Sequence, residues 1–158
     1  MALDLTILVG TMTGTAQLVA QELELTLDGD DVKVRTQLMD GLDASVFQNG
    51  GLFLLCTSTY GQGDVPDNAK KLYESLQSAR PDFSRVRYGV IALGDRTYAE
   101  TLCNGGKRFD RLLSELRARR IGEMLLHDAS AGTMPEETAA QWIGGWIEQC
   151  REDSKLAV

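Results

Sequence analysis

The chain has 158 residues and a mass of 17.3 kDa, a length typical of one domain with a substantial core. Its formal net charge of −7 and its pI of about 4.7 argue against nucleic acid or an anionic membrane as a partner. No apolar stretch approaches the length of a membrane span and no signal peptide is recognisable, so we expect a cytoplasmic protein with no membrane association.

Apolar, β-branched segments alternate with helical patterns along the chain. In order, the pattern predicts the strand Leu3–Val9, the helix Thr15–Leu27, the strands Val32–Leu38 and Leu52–Thr57, the helix Asp67–Ala79, the strand Tyr88–Leu93, the helix Gly106–Arg119, the strand Glu123–His127 and the helix Pro135–Arg151. Such alternation predicts an α/β fold, in which a parallel sheet is covered by helices on both faces.

Some segments carry local predictions. The third and fourth strands are nearly continuous apolar runs, which is typical of strands buried on both faces. Asp67 is placed to cap the helix that follows Pro66. The pair Gly144–Gly145 lies inside the last predicted helix, and we interpret it as a position of close packing. Residues 39–49 give only a weak helical signal.

The cysteines do not indicate a disulfide framework or a metal site. There are three of them, with no CxxC spacing and only one histidine. We interpret Cys56 and Cys150 as small buried hydrophobic residues and Cys103 as a loop thiol.

The segment Gly10–Ala16, GTMTGTA, follows the first strand and leads directly into the first helix. It offers three hydroxyl side chains, two glycines and no charge. Backbone N–H groups at a helix N-terminus and threonine hydroxyls together bind a phosphate, which the helix dipole also favours. The segment lacks both the Gly-Lys-Ser/Thr ending of a nucleoside triphosphate loop and the Gly-x-Gly-x-x-Gly of a dinucleotide loop. It therefore predicts a site for one terminal monophosphate.

Two further loops follow the third and fourth strands. Their sequences are STYGQGDVPDN at 58–68 and GDRTYAETLCNGGK at 94–107, so each contains one tyrosine. In an open parallel sheet, ligands bind beyond the carboxyl ends of the strands, at the point where the strand order reverses. Two aromatic rings on neighbouring loops can hold a flat ring between them. With the monophosphate site, they predict a mononucleotide that has a purine or tricyclic base.

These three segments resemble the FMN-binding loops of flavodoxins and of the FMN domains of diflavin reductases. The stretches YGVIALGD, NGGKRFD and GEMLLHDAS are similar to small stand-alone flavodoxins of the MioC/YqcA type. The resemblance extends from residue 5 to about residue 147. It implies a single flavodoxin-like domain over residues 1–158, with a doubly wound five-stranded parallel sheet of strand order 2-1-3-4-5 and helices on both faces.

The resemblance also implies FMN as the cofactor and assigns its site by position. The implied phosphate loop consists of Thr11, Met12, Thr13, Gly14, Thr15 and Ala16. Tyr60 and Tyr98 correspond to the two aromatic residues that flank the flavin, and Gly61 to a glycine whose carbonyl can turn toward flavin N5. The other implied positions are Ser58, Thr59, Leu93, Gly94, Asp95, Thr97, Cys103, Asn104, Gly105 and Asp128. No catalytic residue and no metal ligand are implied.

Function follows from the same resemblance. It implies a low-potential one-electron carrier without substrate turnover of its own, monomeric by default. The donor would be an NADPH-dependent flavodoxin or ferredoxin reductase, and the residues do not identify the acceptor enzyme. The negative charge of the chain either steers a basic protein partner or merely aids solubility.

Three alternatives remain open at this point. An FMN-dependent NAD(P)H:quinone or flavin reductase on the same fold would need space over the flavin for a nicotinamide, which Tyr60 and Tyr98 would restrict. A phosphoacceptor receiver domain would need an acidic cluster after the first strand, where Gly10–Thr13 stands, and a lysine after the fifth, where His127 and Asp128 stand. A regulatory module that has lost flavin would not need the three loops intact.

Overall fold

A parallel β-sheet with helices on both faces forms the centre of the computed structural model, which describes residues 3–11, 14–27, 31–59, 65–94, 103–128 and 132–156. The strands are β1 Leu3–Gly10, β2 Val32–Leu38, β3 Gly51–Thr57, β4 Val86–Gly94, β5 Arg119–Arg120 and β6 Leu125–Asp128. The α-helices are α1 Thr15–Leu27, α2 Lys70–Ala79, α3 Asn104–Glu115 and α4 Pro135–Leu156. Short 3₁₀ helices span Ala44–Phe47 and Asp67–Ala69.

The strand order confirms the predicted topology. The sheet runs β2-β1-β3-β4, and both β5 and β6 pair with the outer edge of β4. Every pair is parallel, with Ile7 of β1 opposite Thr36 of β2 and Leu54 of β3. Because the chain goes from β1 to one side for β2 and to the other for β3, the strand order reverses at β1.

Alternate side chains of the central strands supply the two halves of the core. In β3, Leu52, Leu54 and Cys56 pack with α1 and α4, whereas Phe53 and Leu55 pack with α2 and α3. Burial on both faces explains why the central strands have continuous apolar runs, as predicted. The edge strand β2 differs, because its Lys33 and Arg35 side chains are exposed.

The indole of Trp146 lies directly on β4 because position 89 has no side chain. A Cβ atom at Gly89 would lie 2.6 Å from three atoms of that ring. The indole Nε1 donates a hydrogen bond to the carbonyl oxygen of Ile121 at 3.0 Å, so the buried polar group is satisfied. This contact fixes α4 against the sheet.

The predicted strands are confirmed with small differences in length, except at the fifth. The bounds of β2 and α1 are as predicted, and β1, β3 and β4 are one to three residues longer. The predicted strand Glu123–His127 begins at Leu125 instead. A separate two-residue strand, β5, precedes it, and Gly122 lies between them with a φ of +68°.

The predicted helix Gly106–Arg119 is wrong at both ends. It begins at Asn104 and ends at Glu115. The N–H of Arg117 donates to the carbonyl of Ser114 at 3.1 Å and the N–H of Ala118 to that of Leu113 at 3.0 Å. With a φ of +77° at Arg117, this is a Schellman motif, which stops the helix and turns the chain into β5.

Two local predictions are also wrong. Asp67 is not the N-cap residue of a helix. It lies in a 3₁₀ turn whose capping residue is Pro66, and its carboxylate is 3.0 Å from Lys70 Nζ. The pair Gly144–Gly145 is exposed and is not at a close contact with any described residue, because a Cβ atom at either position would meet none of them within 4 Å.

The last helix is longer than predicted. It continues from Arg151 to Leu156, and the carboxylate of Asp153 accepts hydrogen bonds from Arg87 at 3.1 Å and Arg119 at 2.7 Å. These two bonds hold the polar end of α4 against β4 and β5. Among the described residues, no helix is both long and apolar enough to cross a membrane.

Candidate functional site

The carboxyl ends of β1, β3 and β4 lie side by side at one edge of the sheet. Gly10 is opposite Thr57, and Thr57 is opposite Ala92. The N–H of Ser58 donates to the carbonyl oxygen of Gly10 at 2.9 Å, so the pairing continues one residue past β3. The three loops that the sequence predicts to bind one ligand therefore start at adjacent points.

The first of these loops enters α1 through a glycine with positive φ. Gly14 has a φ of +92°, a conformation that glycine adopts without strain. Its N–H donates to the hydroxyl oxygen of Thr11 at 2.9 Å, and its carbonyl accepts from the N–H of Leu18 at 3.1 Å. A Cβ at Gly14 would meet no described residue within 4 Å.

The donors at this point suit a phosphate. The Thr11 hydroxyl accepts a bond from Gly14 and retains its own hydrogen for donation. The N–H groups of Ala16 and Gln17 lie in the first turn of α1, where a helix provides no acceptor. Neutral donors at the positive end of a helix dipole bind an anion without a cationic side chain. This donor set fits the terminal phosphate of a mononucleotide.

Thr59 connects the loop after β3 to the segment after β4. Its hydroxyl donates to the carbonyl oxygen of Leu93 at 3.1 Å and accepts from the N–H of Gly105 at 2.9 Å. A Cβ atom at Gly105 would lie 2.3 Å from the carbonyl oxygen of Ser58, so only glycine fits there. The start of α3 therefore lies against the backbone of Ser58 and Thr59, and the Thr59 hydroxyl holds it there.

Cys103 is not a loop thiol, contrary to the sequence prediction. It caps α3 with a left-handed backbone, with a φ of +60°, and is fully buried. Its sulfur lies 3.2 Å from the carbonyl oxygen of Ala92 and 3.5 Å from that of His127. Burial raises the pKa of the thiol, so it stays protonated at neutral pH. The thiol anchors α3 to β4 and β6 and has no hydrogen left for a ligand.

The structure brings the described members of the predicted site to one edge of the sheet. They are Thr11, Gly14, Thr15, Ala16, Ser58, Thr59, Leu93, Gly94, Cys103, Asn104, Gly105 and Asp128. Asp128 ends β6 and is opposite Gly94. Ala16 is fully buried with its side chain in the core, so only its backbone can face a ligand. The other members lie outside the described residues, namely Met12, Thr13, Tyr60, Gly61, Asp95, Thr97 and Tyr98.

Sequence reasoning missed one residue of this edge, Asn68. Its side-chain Oδ1 accepts a hydrogen bond from the N–H of Thr11 at 2.8 Å. Its Nδ2 donates to the carbonyl oxygen of Val9 and to a carboxylate oxygen of Asp40, both at 3.2 Å. The only signal in the sequence is its place at the end of STYGQGDVPDN. Its three partners are 28, 57 and 59 residues away along the chain, so no local pattern reveals them.

A doubly wound sheet with a neutral N–H and hydroxyl cradle at its first helix defines a binding protein for a phosphate-bearing ligand. The family described as Flavodoxin matches residues 7–142. The chain belongs to the flavodoxin family, the electron-transfer proteins whose cofactor is FMN.

Individual relatives cover almost the whole chain. It is 41% identical over 143 residues to Flavodoxin YqcA of Escherichia coli (strain K12), which covers 90% of this chain and 95% of that protein. It is 33% identical over 150 residues to the sulfite reductase [NADPH] flavoprotein alpha-component of Bacillus subtilis (strain 168), covering 94% of this chain and 24% of that one. A solved cysteine-to-alanine mutant of flavodoxin from Pseudomonas aeruginosa superposes with a TM-score of 0.82 at 30% identity, covering 93% and 98% of the two chains.

Proposed function

We propose that this chain is a low-potential one-electron carrier that receives electrons from an NADPH-dependent flavodoxin or ferredoxin reductase and delivers them to acceptor enzymes. Bound FMN would supply the reversible electron transfer, and the protein supplies binding and electrostatics. The observation that carries the proposal is that the ends of β1, β3 and β4, from which the three loops of flavodoxin-like sequence start, are adjacent at one edge of the sheet, beside the N-terminus of α1.

The segment Thr11–Ala16 would hold the FMN phosphate. The proposal is supported by the Thr11 hydroxyl and the first turn of α1, which supply neutral donors, and by Gly14, whose Cβ position has no described residue within 4 Å. Met12 and Thr13 complete the segment by family resemblance.

The loops after β3 and β4 would hold the flavin ring. The link from Thr59 to Leu93 and Gly105 supports this assignment, because it joins the start of the loop after β3 to the end of β4 and to the start of α3. Tyr60, Gly61, Asp95, Thr97 and Tyr98 belong to this part of the proposal by resemblance alone. Ser58, Gly94, Cys103, Asn104 and Asp128 would contribute mainly through backbone groups and position.

Properties of the chain as a whole support the proposed low potential, the NADPH-linked donor and the compartment. A net charge of −7 disfavours added negative charge in a partly desolvated site, which supports a low potential. The similarity to a flavoprotein named for NADPH supports an NADPH-linked donor. The three cysteines are all free and buried, which is compatible with a reducing compartment such as the cytoplasm. We propose a monomer, which size-exclusion chromatography with light scattering would check.

The test is to titrate the protein with FMN and then to reduce it with NADPH in the presence and absence of a flavodoxin reductase. We expect a yellow stoichiometric complex that NADPH reduces only when the reductase is present. Fast oxidation of NADPH by the protein alone, with a quinone as acceptor, would instead support the alternative of an FMN-dependent NAD(P)H:quinone or flavin reductase. A protein that retains no flavin once the excess FMN is removed by gel filtration would contradict both.

A further inference from the structure

We propose that Asn68 is a positioning residue for the phosphate loop and that Asp40 orients its side-chain amide. The inference rests on the proposed FMN site and adds two residues to it, neither of which needs to touch the cofactor. It follows from the hydrogen bonds of Asn68, which join the end of β1, the start of the phosphate loop and the turn after β2.

Both the oxygen and the nitrogen of the Asn68 side-chain amide make hydrogen bonds. Its Oδ1 accepts from the N–H of Thr11 at 2.8 Å, and its Nδ2 donates to the carbonyl oxygen of Val9 at 3.2 Å. Thr11 is the first residue after β1, where the sheet no longer supplies an acceptor for its N–H. The Asn68 side chain thus supplies the acceptor that a strand would otherwise provide, and it fixes the position of Thr11 where the chain leaves the sheet.

Asp40 determines which way the amide points. Its carboxylate can only accept, and it lies 3.2 Å from Nδ2 of Asn68. The Val9 carbonyl and this carboxylate can only accept hydrogen bonds, so Nδ2 must face them, and Oδ1 must face the N–H of Thr11. An aspartate at position 68 would place a carboxylate oxygen, which cannot donate, next to the Val9 carbonyl and the Asp40 carboxylate. A serine side chain is too short to contact these two acceptors and the Thr11 N–H together.

The backbone of the 3₁₀ helix that carries Asn68 lies close to the end of β1. Asn68 lies in the 3₁₀ helix Asp67–Ala69, which comes close to β1 at Gly10. A Cβ atom at Gly10 would lie 2.7 Å from the Thr57 hydroxyl oxygen and 3.3 Å from the Ala69 Cβ. A side chain at position 10 would push this helix away and carry Asn68 with it.

The hydrogen bonds that start at Asn68 lead to the groups proposed to bind the phosphate. Asn68 fixes the backbone of Thr11, and the hydroxyl of Thr11 accepts from the N–H of Gly14 at the start of α1. If Asn68 is removed, the loop must be ordered when the phosphate binds, and the entropy of ordering then weakens binding. The effect should be confined to ligands that carry the phosphate.

The experiment compares FMN with riboflavin, which lacks the phosphate, on the FMN-free protein. We expect Asn68→Ala to raise the Kd for FMN about tenfold, the scale of one or two lost hydrogen bonds, and to change the Kd for riboflavin less than about twofold. Ser75→Ala is the matched control, because Ser75 Oγ also accepts a bond from a distant backbone N–H, that of Ala44 at 3.0 Å, away from the phosphate loop. It should leave the FMN-to-riboflavin ratio unchanged.

A second pair of variants tests orientation and remains informative if Asn68→Ala does not fold. Asp40 is exposed, so Asp40→Ala and Asp40→Asn should both fold, and both remove the same charge. Only asparagine keeps an oxygen that can accept from Asn68. We expect the Kd for FMN to be about threefold higher in Asp40→Ala than in Asp40→Asn, with equal Kd values for riboflavin.

Three outcomes would overturn the inference. They are equal losses of FMN and riboflavin affinity in Asn68→Ala, an unchanged FMN affinity in a folded Asn68→Ala, or no difference between the two Asp40 variants. Failure of the proposed function has a different signature, because the unaltered protein would then bind neither ligand or would bind both equally well.

Discussion

Replacing Gly105 with alanine tests the closest contact in the candidate site. The new Cβ would lie 2.3 Å from the carbonyl oxygen of Ser58 and 3.2 Å from the Cα of Thr59. Both are backbone atoms, so neither can move aside by changing a rotamer. The start of α3 would have to withdraw from the β3 loop by about 1 Å to reach an ordinary contact distance.

The cost of this substitution can be worked out from the contacts it disturbs. Overpacking of a closely packed site costs about 1–3 kcal/mol. A withdrawal of that size also breaks the 2.9 Å bond from the Gly105 N–H to the Thr59 hydroxyl, which costs about 0.5–1.5 kcal/mol. We therefore expect Gly105→Ala to lower the free energy of unfolding by about 2–4 kcal/mol, a large part of the stability of a typical domain.

Urea unfolding of the FMN-free protein, followed by far-ultraviolet circular dichroism, measures this change. Thr59→Val separates the two contributions, because it keeps the glycine and loses only the hydroxyl bonds to Gly105 and Leu93. It should cost less than Gly105→Ala. An alanine variant within about 0.5 kcal/mol of the unaltered protein would refute the close approach of α3 to the β3 loop.

Two further predictions concern stability away from the site. Gly144 and Gly145 lie exposed within α4, and no described residue is within 4 Å of their Cβ positions. Alanine at either should therefore raise the free energy of unfolding by about 0.8–1 kcal/mol, measured by urea unfolding; a decrease would indicate a contact there. Burial raises the pKa of the Cys56 and Cys150 thiols to about 12 from an ordinary value of 9.0. Since the unfolded chain then binds fewer protons above pH 9, the free energy of unfolding should fall as pH rises toward 12, by about 1.4 kcal/mol per thiol and pH unit. The slope between about pH 9 and pH 11 should be shallower in a Cys56→Ala/Cys150→Ala variant, and identical slopes would contradict the raised pKa values.

The sequence predicts the sheet well because each central strand is a continuous apolar run buried on both faces. It predicts α1 to the residue, since the helical spacing of its apolar residues begins directly after the glycine-containing turn. It misplaces the end of α3 because the apolar spacing continues through Leu116, and nothing local indicates that Arg117 takes a left-handed backbone. The strand β5 is missed because its two arginines carry no apolar pattern and are held by ion pairs with distant carboxylates.

The site is predicted only in part for a similar reason. The glycines and hydroxyls of the first loop form a recognisable phosphate-binding motif, and the described members of the predicted site lie at one edge of the sheet. Asn68, in contrast, has an ordinary turn sequence around it, and its role depends on a backbone N–H and a carboxylate from other elements. The sequence also gives no indication that Cys103 is buried, because the two carbonyl groups next to its sulfur come from strands in separate parts of the chain.

The two borders of the sheet have a consequence for behaviour at high concentration. On one border, β2 exposes Lys33 and Arg35, so a second copy approaching strand to strand would bring like charges together. On the other, β5 and β6 are two and four residues long and are separated by the bend at Gly122. Neither border offers a long uncharged template, and growth of fibres by strand addition is disfavoured from both ends.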